Sequence, residues 1–302
     1  MRVIVLGSAA GGGFPQWNCD CPNCRRARSG DPAARRRTQC SLAVSADGER
    51  WFLLNASPDL RQQLAATPAL HPRAGAPRHS PVAGVLLTNG DIDHVAGLLS
   101  LREGHAFGVY ATPRILSVLD RNPVFNALDR DLVARRPVAL GEPLTLGERL
   151  AVELFAVPGK VPLYLEEGSP EIGAETEDVV GVRVAADGGA SFVFVPGCAR
   201  LSAALVRRLA GAPVVLFDGT LWQDDEMIRL GAGSKTGQRM GHMSVSGSGG
   251  SLAAFARLEV ARKIYIHINN TNPILLEDSP ERAAVTAAGW EVAYDGMEIE
   301  LS

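Results

Sequence analysis

The stretch 82–94 constrains the fold of this chain more than any other part of the sequence. Residues 82–87 form an apolar run of strand length, and the polar segment Thr-Asn-Gly-Asp-Ile-Asp-His follows at 88–94 before apolar residues resume. A strand that ends in polar side chains is typical of layered α/β proteins, whose sites are assembled at strand ends. The sequence therefore predicts a sheet with a functional site at 88–94.

Asp91, Asp93 and His94 place three oxygen or nitrogen donors within four positions. On a turn that leads into a helix, such donors can converge on one cation. The alternative is helix capping, since an Asp before a helix accepts hydrogen bonds from its free N–H groups. Capping needs one side chain, whereas this segment supplies two carboxylates, Asn89 and an imidazole. We therefore favour a metal site.

Three later strand-like runs also end in side chains that can bind a metal, namely Cys198, Asp218 and His267. In layered α/β folds, residues that are distant in sequence come together at the strand ends. We therefore expect Asp218 and His267 to lie beside Asp93 and His94. Taken alone, Asp218 or His267 would more often be a hydrogen-bonded structural group.

Three of the five cysteines form the motif C-x-C-x-x-C at Cys19, Cys21 and Cys24. This spacing lets three thiolates bind one ion at about 2.3 Å, and tetrahedral Zn²⁺ is the usual occupant. The alternative is a group of thiols without a metal. A closed site of this kind is structural, so we predict a zinc-binding loop near residues 18–25, called the Cys clip below.

The composition excludes several classes of partner. The 302 residues, 46% of them apolar, can bury a large core in one large domain or two smaller ones. A net charge of −3 and a pI near 6.1 give no basic surface for nucleic acid or for a membrane. The first apolar run is too short for a signal peptide and no later run can span a bilayer, so we expect a cytoplasmic location.

Three further segments have local signals. Residues 7–13 are glycine-rich, but their spacing does not fit G-x-G-x-x-G before a helix, so we predict a tight turn beneath the site rather than a dinucleotide site. Apolar runs on either side of the turn at 46–49 predict a β-hairpin. The acidic, glycine-bearing run 164–169 either covers the site or is a solvated loop.

The motif at 89–94 resembles the first metal motif of the metallo-β-lactamase superfamily, which is H-x-H-x-D-H after a strand. Here it is N-G-D-I-D-H, so the Asp and the final His match while Asn89 and Asp91 replace the first two histidines. The resemblance implies an α/β fold, a four-layer αββα sandwich, formed by residues 1–302 as a single domain.

The superfamily commonly binds two metals, and the resemblance implies that one of the two sites is lost here. Cys198 stands where a third histidine would be, Asp218 where a bridging Asp would be, and His267 where a C-terminal His would be. The remaining site is expected to contain Asp93, His94, Asp218 and His267. Asp91 is a further oxygen donor. Two imidazoles with carboxylates and open positions suit Fe²⁺, although the donor types also fit Zn²⁺ or Mn²⁺.

Longer strings at 7–19, 55–61, 88–98 and 267–273 resemble the coenzyme PQQ synthesis protein B family, and the resemblance extends end to end. It implies a role in the biosynthesis of pyrroloquinoline quinone (PQQ) from a Glu–Tyr cross-linked precursor. The family has been described as a carrier of PQQ or its precursor, and as an iron-dependent hydroxylase of the tyrosine-derived ring.

An open-sided metal favours the hydroxylase, with Fe²⁺, O₂ and the small-molecule precursor as reactants. A transport accessory and a metal-dependent hydrolase are the alternatives. The hydrolase would need a metal-activated water, usually between two metals. A homodimer and contacts with other enzymes of the pathway are further expectations.

The same resemblance provides hypotheses for individual residues. The candidate catalytic residues are His242, which would move protons, Asp91 and Asp218. Because the substrate carries several carboxylates, the candidate substrate contacts are Arg61, Lys235, Arg239, Asn89 and Asn269. The Cys clip is shared with the phosphodiesterase branch, where a histidine completes the zinc site. Here Asn270 stands at that position, which leaves the fourth zinc ligand open.

Overall fold

Two mixed β-sheets of seven strands each pack against one another. The structure is a computed structural model and describes residues 1–75 and 77–302. From edge to edge, the first sheet contains β14 (Glu298–Glu300), β1 (Arg2–Gly7), β2 (Ser41–Ser45), β3 (Trp51–Leu54), β4 (Val82–Leu86), β5 (Phe107–Ala111) and β6 (Val133–Pro137).

In the second sheet, the strands follow one another from edge to edge in the reverse of their chain order. It contains β13 (Trp290–Val292), β12 (Arg262–Ile266), β11 (Val214–Asp218), β10 (Ser191–Val195), β9 (Ala174–Ala186), β8 (Leu150–Gly159) and β7 (Pro143–Leu146). In each sheet, antiparallel pairing on one side changes to parallel pairing on the other.

The helices are short. They are α1 (Pro22–Arg28), α2 (Leu60–Ala66), α3 (Ile92–Val95), α4 (Pro113–Arg121), α5 (Ala203–Leu209), α6 (Glu226–Arg229), α7 (Gly237–Met240), α8 (Ser251–Phe255) and α9 (Pro280–Ala287). Single 3₁₀ turns occur at Pro68–Leu70, Ala96–Leu101, Pro123–Ala127, Leu163–Leu165 and Pro273–Leu275. No helix in the described ranges is long and apolar enough to cross a membrane.

The main hydrophobic core lies between the two sheets. Leu53 and Val85 from the first sheet belong to one buried cluster with Val182 and Leu216 from the second, and side chains of α2 and α4 join it. A second cluster packs α5 and α9 against the second sheet. The layers are therefore helix, sheet, sheet and helix, which confirms the αββα sandwich expected from the sequence.

The parallel strands β10, β11 and β12 explain why the site forms where it does. Their register places Val195 beside Phe217, and Asp218 beside Ile266. The residues that follow the three strands therefore emerge at one edge of the second sheet. The predicted hairpin is also confirmed, since β2 and β3 pair in antiparallel register.

Asn55 and Gly97 hold the polar turn after β4. Asn55 has a left-handed backbone, with φ 65°, and its side chain exchanges hydrogen bonds of 2.9 Å with the N–H and the hydroxyl of Thr88. The Ala56 N–H donates to the His94 carbonyl at 2.7 Å, and the Gly97 N–H donates to the Ala56 carbonyl at 2.9 Å. The close approach of these two segments fixes the backbone around His94.

We predict that Gly97→Ala destabilises the fold and weakens metal binding. A Cβ at position 97 would lie 2.1 Å from the Ser57 carbonyl oxygen, so one of the two packed segments must move. Overpacking of this kind costs about 1–3 kcal/mol or more. Urea unfolding measures the loss.

The matched control is Gly249→Ala, because Gly249 is exposed and a Cβ there meets nothing within 4 Å. Its stability should be unchanged or slightly raised, since alanine restricts the unfolded chain. Equal stability of the two variants would contradict the role given to Gly97.

Candidate metal centre

Asp93, His94 and His267 converge at the strand ends. Their ligand atoms lie within 4.8 Å of one another. The Asp93 Oδ2 atom lies 3.1 Å from His267 Nε2 and 3.9 Å from His94 Nε2. Asp93 and His94 lie in α3, which follows β4 of one sheet, and His267 follows β12 of the other, so the centre joins both sheets.

Asn89 orients His94. The Asn89 Oδ1 atom lies 2.7 Å from His94 Nδ1 and accepts the Asp91 N–H at 3.0 Å. Asn89 therefore fixes the Nδ1–H tautomer that we assign to His94. The His94 Nε2 atom is buried and has no hydrogen-bond partner among the described residues. An orphaned lone pair that faces a carboxylate is what a bound cation would satisfy.

His267 is held in a similar way. Its backbone is left-handed, with φ 57°, and its Nδ1 lies 2.8 Å from the Thr220 hydroxyl oxygen. The hydroxyl in turn donates to Asp218 Oδ1 at 2.6 Å. We assign the Nδ1–H tautomer to His267, so its Nε2 lone pair faces Asp93. Both imidazoles thus offer Nε2, and each is oriented through Nδ1.

The electrostatics favour a cation at this point. Burial lowers the pKa of His94 to about 4, so the imidazole is neutral and able to act as a ligand. Asp93, whose Oδ2 atom lies 3.1 Å from His267 Nε2, supplies the carboxylate of the centre. One carboxylate and two neutral nitrogen atoms are a donor set that suits Fe²⁺ or Zn²⁺.

His242 lies beside this centre and is paired with Asp218. Its Nδ1 is 2.7 Å from Asp218 Oδ2, and its ring stacks on that of His267 with centroids 5.2 Å apart. Burial opposes protonation of His242, but Asp218 outweighs it and raises the imidazole pKa. Burial also raises the pKa of Asp91, an effect that the Asp93 charge reinforces.

Asp218 is occupied by hydrogen bonds. Its Oδ2 accepts the Cys198 N–H at 2.8 Å in addition to His242, and its Oδ1 accepts the N–H and the hydroxyl of Thr220. Asp218 forms a second group of possible ligands with His242 and His267, but does not lie within 4.8 Å of all three groups of the first centre. Asp218 therefore orients Thr220 and His242 by hydrogen bonds, and it is a candidate metal ligand in the group with His242 and His267.

Cys198 and Asn89 stand where the resemblance expects histidines of a second metal site, and both side chains contact protein groups. Cys198 is fully buried, and its thiol lies 3.1 Å from the Arg200 carbonyl oxygen. Burial and the Asp218 charge raise the thiol pKa well above its usual value. Asn89 is engaged by His94. Both side chains are therefore engaged with protein groups.

A cavity of about 380 Å³ opens onto the centre. Asp93, His94 and His267 form part of its wall, together with Asp91 and His242. A volume of this size accommodates a small organic molecule. Gly11, from the glycine-rich turn after β1, lies at the same wall, which is the position predicted for that turn.

The proposed substrate contacts separate into two groups. Lys235 and Asn269 line the cavity, as does Asn89, although its side-chain oxygen is already engaged. Arg61 is exposed on α2 and is not part of the cavity wall, so the geometry does not support its proposed contact. Arg239 also lies outside the wall, because its guanidinium pairs with Glu166.

Sequence reasoning missed Thr220 and Lys160, and it included Glu166 only as part of the acidic run 164–169, without a role of its own. Thr220 follows Asp218 by two positions at the end of β11, so the strand-end pattern could have identified it. Lys160 lines the cavity and pairs with Glu166, but neither residue lies in a recognisable motif. Leu163 also lines the cavity, so the segment before 164–169 covers the site.

The three thiols of the Cys clip lie within 4.8 Å of one another. In a tetrahedral zinc site with bonds of about 2.3 Å, the sulfur atoms are about 3.8 Å apart, so the spacing fits Zn²⁺. A hydrogen bond from the Cys21 thiol lowers the pKa of Cys24 to about 7, which provides a thiolate ligand near neutral pH.

Asn270 occupies the fourth side of the clip. Its Nδ2 lies 3.1 Å from Cys19 Sγ and 3.3 Å from Cys24 Sγ. A half-turn of the amide would place Oδ1 among the sulfur atoms, which makes Asn270 sterically suited to be an oxygen ligand. Asn270 follows His267 by three positions. Its contacts with the Cys clip therefore hold in place the loop that carries His267.

Comparison with known proteins gives consistent matches. A family model described as the beta-lactamase superfamily domain matches residues 50–268. A protein of Methylobacterium nodulans named coenzyme PQQ synthesis protein B is 60% identical over 301 residues, with 100% of both chains covered.

Solved structures show the same relationship. The crystal structure of Zn²⁺-bound PqqB from Methylobacterium extorquens is 57% identical, covers 100% of each chain and has a TM-score of 0.97. A diphosphatase of the PhnP family, 22% identical, has a TM-score of 0.70 over 99% of this chain and 97% of its own, and shares the fold alone.

We predict that Asn89→Ala weakens metal binding at the centre. The variant removes the acceptor that fixes the His94 tautomer, and loss of such a partner typically costs roughly 10- to 100-fold in metal affinity. Anaerobic titration of Fe²⁺ against a competing chelator measures the change. Asn89→Asp, which keeps an acceptor for Nδ1–H, should retain most of the affinity.

Asn126→Ala is the matched control, because Asn126 is an exposed amide on a distant 3₁₀ turn. Wild-type affinity in Asn89→Ala would show that Asn89 does not orient His94.

Proposed function

Because the chain belongs to the coenzyme PQQ synthesis protein B family of the metallo-β-lactamase superfamily, we propose that it hydroxylates a precursor of pyrroloquinoline quinone. The substrate is a Glu–Tyr cross-linked amino acid, the oxidant is O₂ and the metal is Fe²⁺. The tyrosine-derived ring is the site of hydroxylation.

One observation carries this proposal, namely a centre of two imidazoles and one carboxylate that faces a cavity on its open side. Two imidazoles and a carboxylate that leave several positions open are typical of non-haem Fe²⁺ oxygenases. A hydrolase of this superfamily would instead need donors for a second metal. Here Cys198, Asn89 and Asp218 are engaged with protein groups.

Fe²⁺ held by Asp93, His94 and His267 would supply the open positions and the one-electron chemistry that activation of O₂ requires. The protein residues supply orientation. Asn89 and Thr220 fix the two imidazoles through their Nδ1 atoms, so the Nε2 atoms keep their direction when substrate binds. Leu163 contributes apolar surface to the cavity wall.

His242 is the residue placed to move a proton. Its Nδ1–H is held by Asp218, so its Nε2 is free at the cavity wall. The Asp218 carboxylate raises the His242 pKa, which favours retention of a proton that the neutral imidazole accepts from a phenol or a ring carbon. Asp218 stabilises the imidazolium that forms, and Thr220 links it to His267.

The walls of the cavity match the chemistry of a cross-linked amino acid. Lys235 and Asn269 provide a cation and an amide for carboxylates, while Met227 and Met240 provide apolar surface for an aromatic ring. The substrate class is therefore an aromatic polycarboxylate. We further propose that Zn²⁺ in the Cys clip is structural and that Asn270 is its fourth ligand.

The test is O₂ consumption by protein reconstituted with Fe²⁺ under anaerobic conditions and then mixed with the Glu–Tyr cross-linked amino acid. Ascorbate is included because insertion of one oxygen atom from O₂ needs two further electrons. We expect substrate-dependent O₂ uptake and a product that is heavier by one oxygen atom in mass spectrometry.

His94→Ala should abolish both signals, because it removes one of the three groups at the centre. His71→Ala is the matched control, since His71 is exposed and lies outside the cavity wall. O₂ uptake that is the same with and without the Glu–Tyr cross-linked amino acid, and is unchanged in His94→Ala, would exclude the hydroxylase.

A further inference from the structure

A buried group of charges lies beside the cavity and has no role in the account above. Glu166 Oε1 lies 2.9 Å from Lys160 Nζ, and Arg239 donates to both Glu166 oxygens at 3.0 and 2.7 Å. The Lys160 and Glu166 side chains are only 9% and 8% exposed. Burial of ions is costly unless they are paired, so this group is unusual for a surface segment.

The segment 160–166, called the cover segment below, lies across the polar turn that carries the metal-binding residues. The Tyr164 hydroxyl donates to the Gly90 carbonyl at 2.6 Å, and the Leu163 N–H lies 3.4 Å from Asp91 Oδ1. Lys160 and Leu163 both line the cavity. The charged group therefore belongs to the wall that a bound molecule would touch.

Lys160 is fixed from its other side by the loop that carries His242. A Cβ at Gly241, whose φ is 91°, would lie 3.2 Å from the Lys160 Cγ atom. The glycine thus gives the aliphatic part of Lys160 room to pack against this loop. The aliphatic part of Lys160 therefore packs against the loop that carries His242, while its ammonium group pairs with Glu166.

The charges in this region do not balance. Glu166 is a single carboxylate bound by two cations, and hydrogen bonds from Arg239 and Lys160 lower its pKa to about 2. Lys235 contributes another ammonium group to the cavity wall, and no carboxylate of the described residues forms an ion pair with it. The cavity wall therefore carries two ammonium groups, of Lys160 and Lys235, that can pair with ligand carboxylates, as well as the carboxylates of Asp91 and Asp93.

We propose that Lys160 is a carboxylate anchor for the substrate and that Glu166 is an internal carboxylate which a substrate carboxylate replaces on Lys160. Arg239 keeps Glu166 in place after the exchange, because its bidentate contact does not involve Lys160. Lys235 binds a second carboxylate of the same ligand. This inference rests on the proposed function and specifies the ligand as an aromatic polycarboxylate.

Replacement of Glu166 by a substrate carboxylate on Lys160 explains why the cover segment contains a glutamate at position 166. With the site empty, Glu166 neutralises Lys160 and prevents an unpaired ammonium group from being buried. With ligand bound, the ammonium group retains an anionic partner, so no charge is left uncompensated. Binding then exchanges one ion pair for another, which favours ligands that carry a carboxylate at this point.

The test is calorimetric binding to the protein loaded with Zn²⁺ in the absence of O₂, so that no turnover occurs. The two probes are the Glu–Tyr cross-linked amino acid and PQQ, which is a tricarboxylate. Lys160→Met should weaken binding by about tenfold or more, the effect of one charge-assisted hydrogen bond. Lys160→Arg should bind more tightly than Lys160→Met, because it retains the charge.

Glu166→Gln should have the opposite effect and tighten binding, since it removes the competing carboxylate. The matched control is Lys263→Met, whose side chain lies near Trp290 on the far part of β12 and should leave binding unchanged. Circular dichroism and zinc content verify that each variant is folded.

Lys160→Met and Glu166→Gln should change the binding affinity in opposite directions if Lys160 binds the ligand, whereas a purely structural ion pair predicts the same change for both. If Glu166→Gln and Lys160→Met weaken binding equally, the group is only a structural clamp and the inference is wrong. Binding by folded Lys160→Met within twofold of wild type also overturns it, as does failure of wild type to bind either probe. Lys160-dependent binding of PQQ without binding of the cross-linked amino acid would support the anchor and reject the proposed substrate.

Discussion

The hydrogen bond between His94 and Asn89 determines what this fold can bind. It fixes the Nδ1–H tautomer, and the buried Nε2 then points to Asp93 and His267. The same side chain occupies a position at which the wider superfamily has a metal ligand. We propose that replacement of a histidine by Asn89 removes one donor and orients another, so that a two-metal site becomes a one-metal site.

Thr220 and Asp218 complete this conversion on the other sheet. The Thr220 hydroxyl accepts from His267 and donates to Asp218, whose second oxygen binds His242. Asp218 thus orients His242 directly and His267 through Thr220. The result is an asymmetric site, in which three ligands lie on one side and a cavity with cationic and apolar walls lies on the other.

The sequence predicted the features that depend on local pattern or on strand order. The β2–β3 hairpin and the emergence of polar residues at parallel strand ends follow from apolar runs and turn residues, whereas the αββα sandwich was implied by the resemblance of the 89–94 motif to the metallo-β-lactamase superfamily. It did not predict contacts between distant loops, such as Lys160 with Glu166 and Arg239, because ion pairs leave no periodic signal. Arg61 was chosen by charge alone, and only the packing of α2 shows that it faces solvent.

The central claim is that this chain binds one iron between the sheets and not a pair of metals. Anomalous diffraction at the iron and zinc edges, from crystals of the protein reconstituted anaerobically with Fe²⁺, tests it most directly. We expect a single iron peak in contact with Asp93, His94 and His267, and a separate zinc peak in the Cys clip. Two neighbouring metal peaks with Asp218 between them, or no peak among the three residues, would contradict this account.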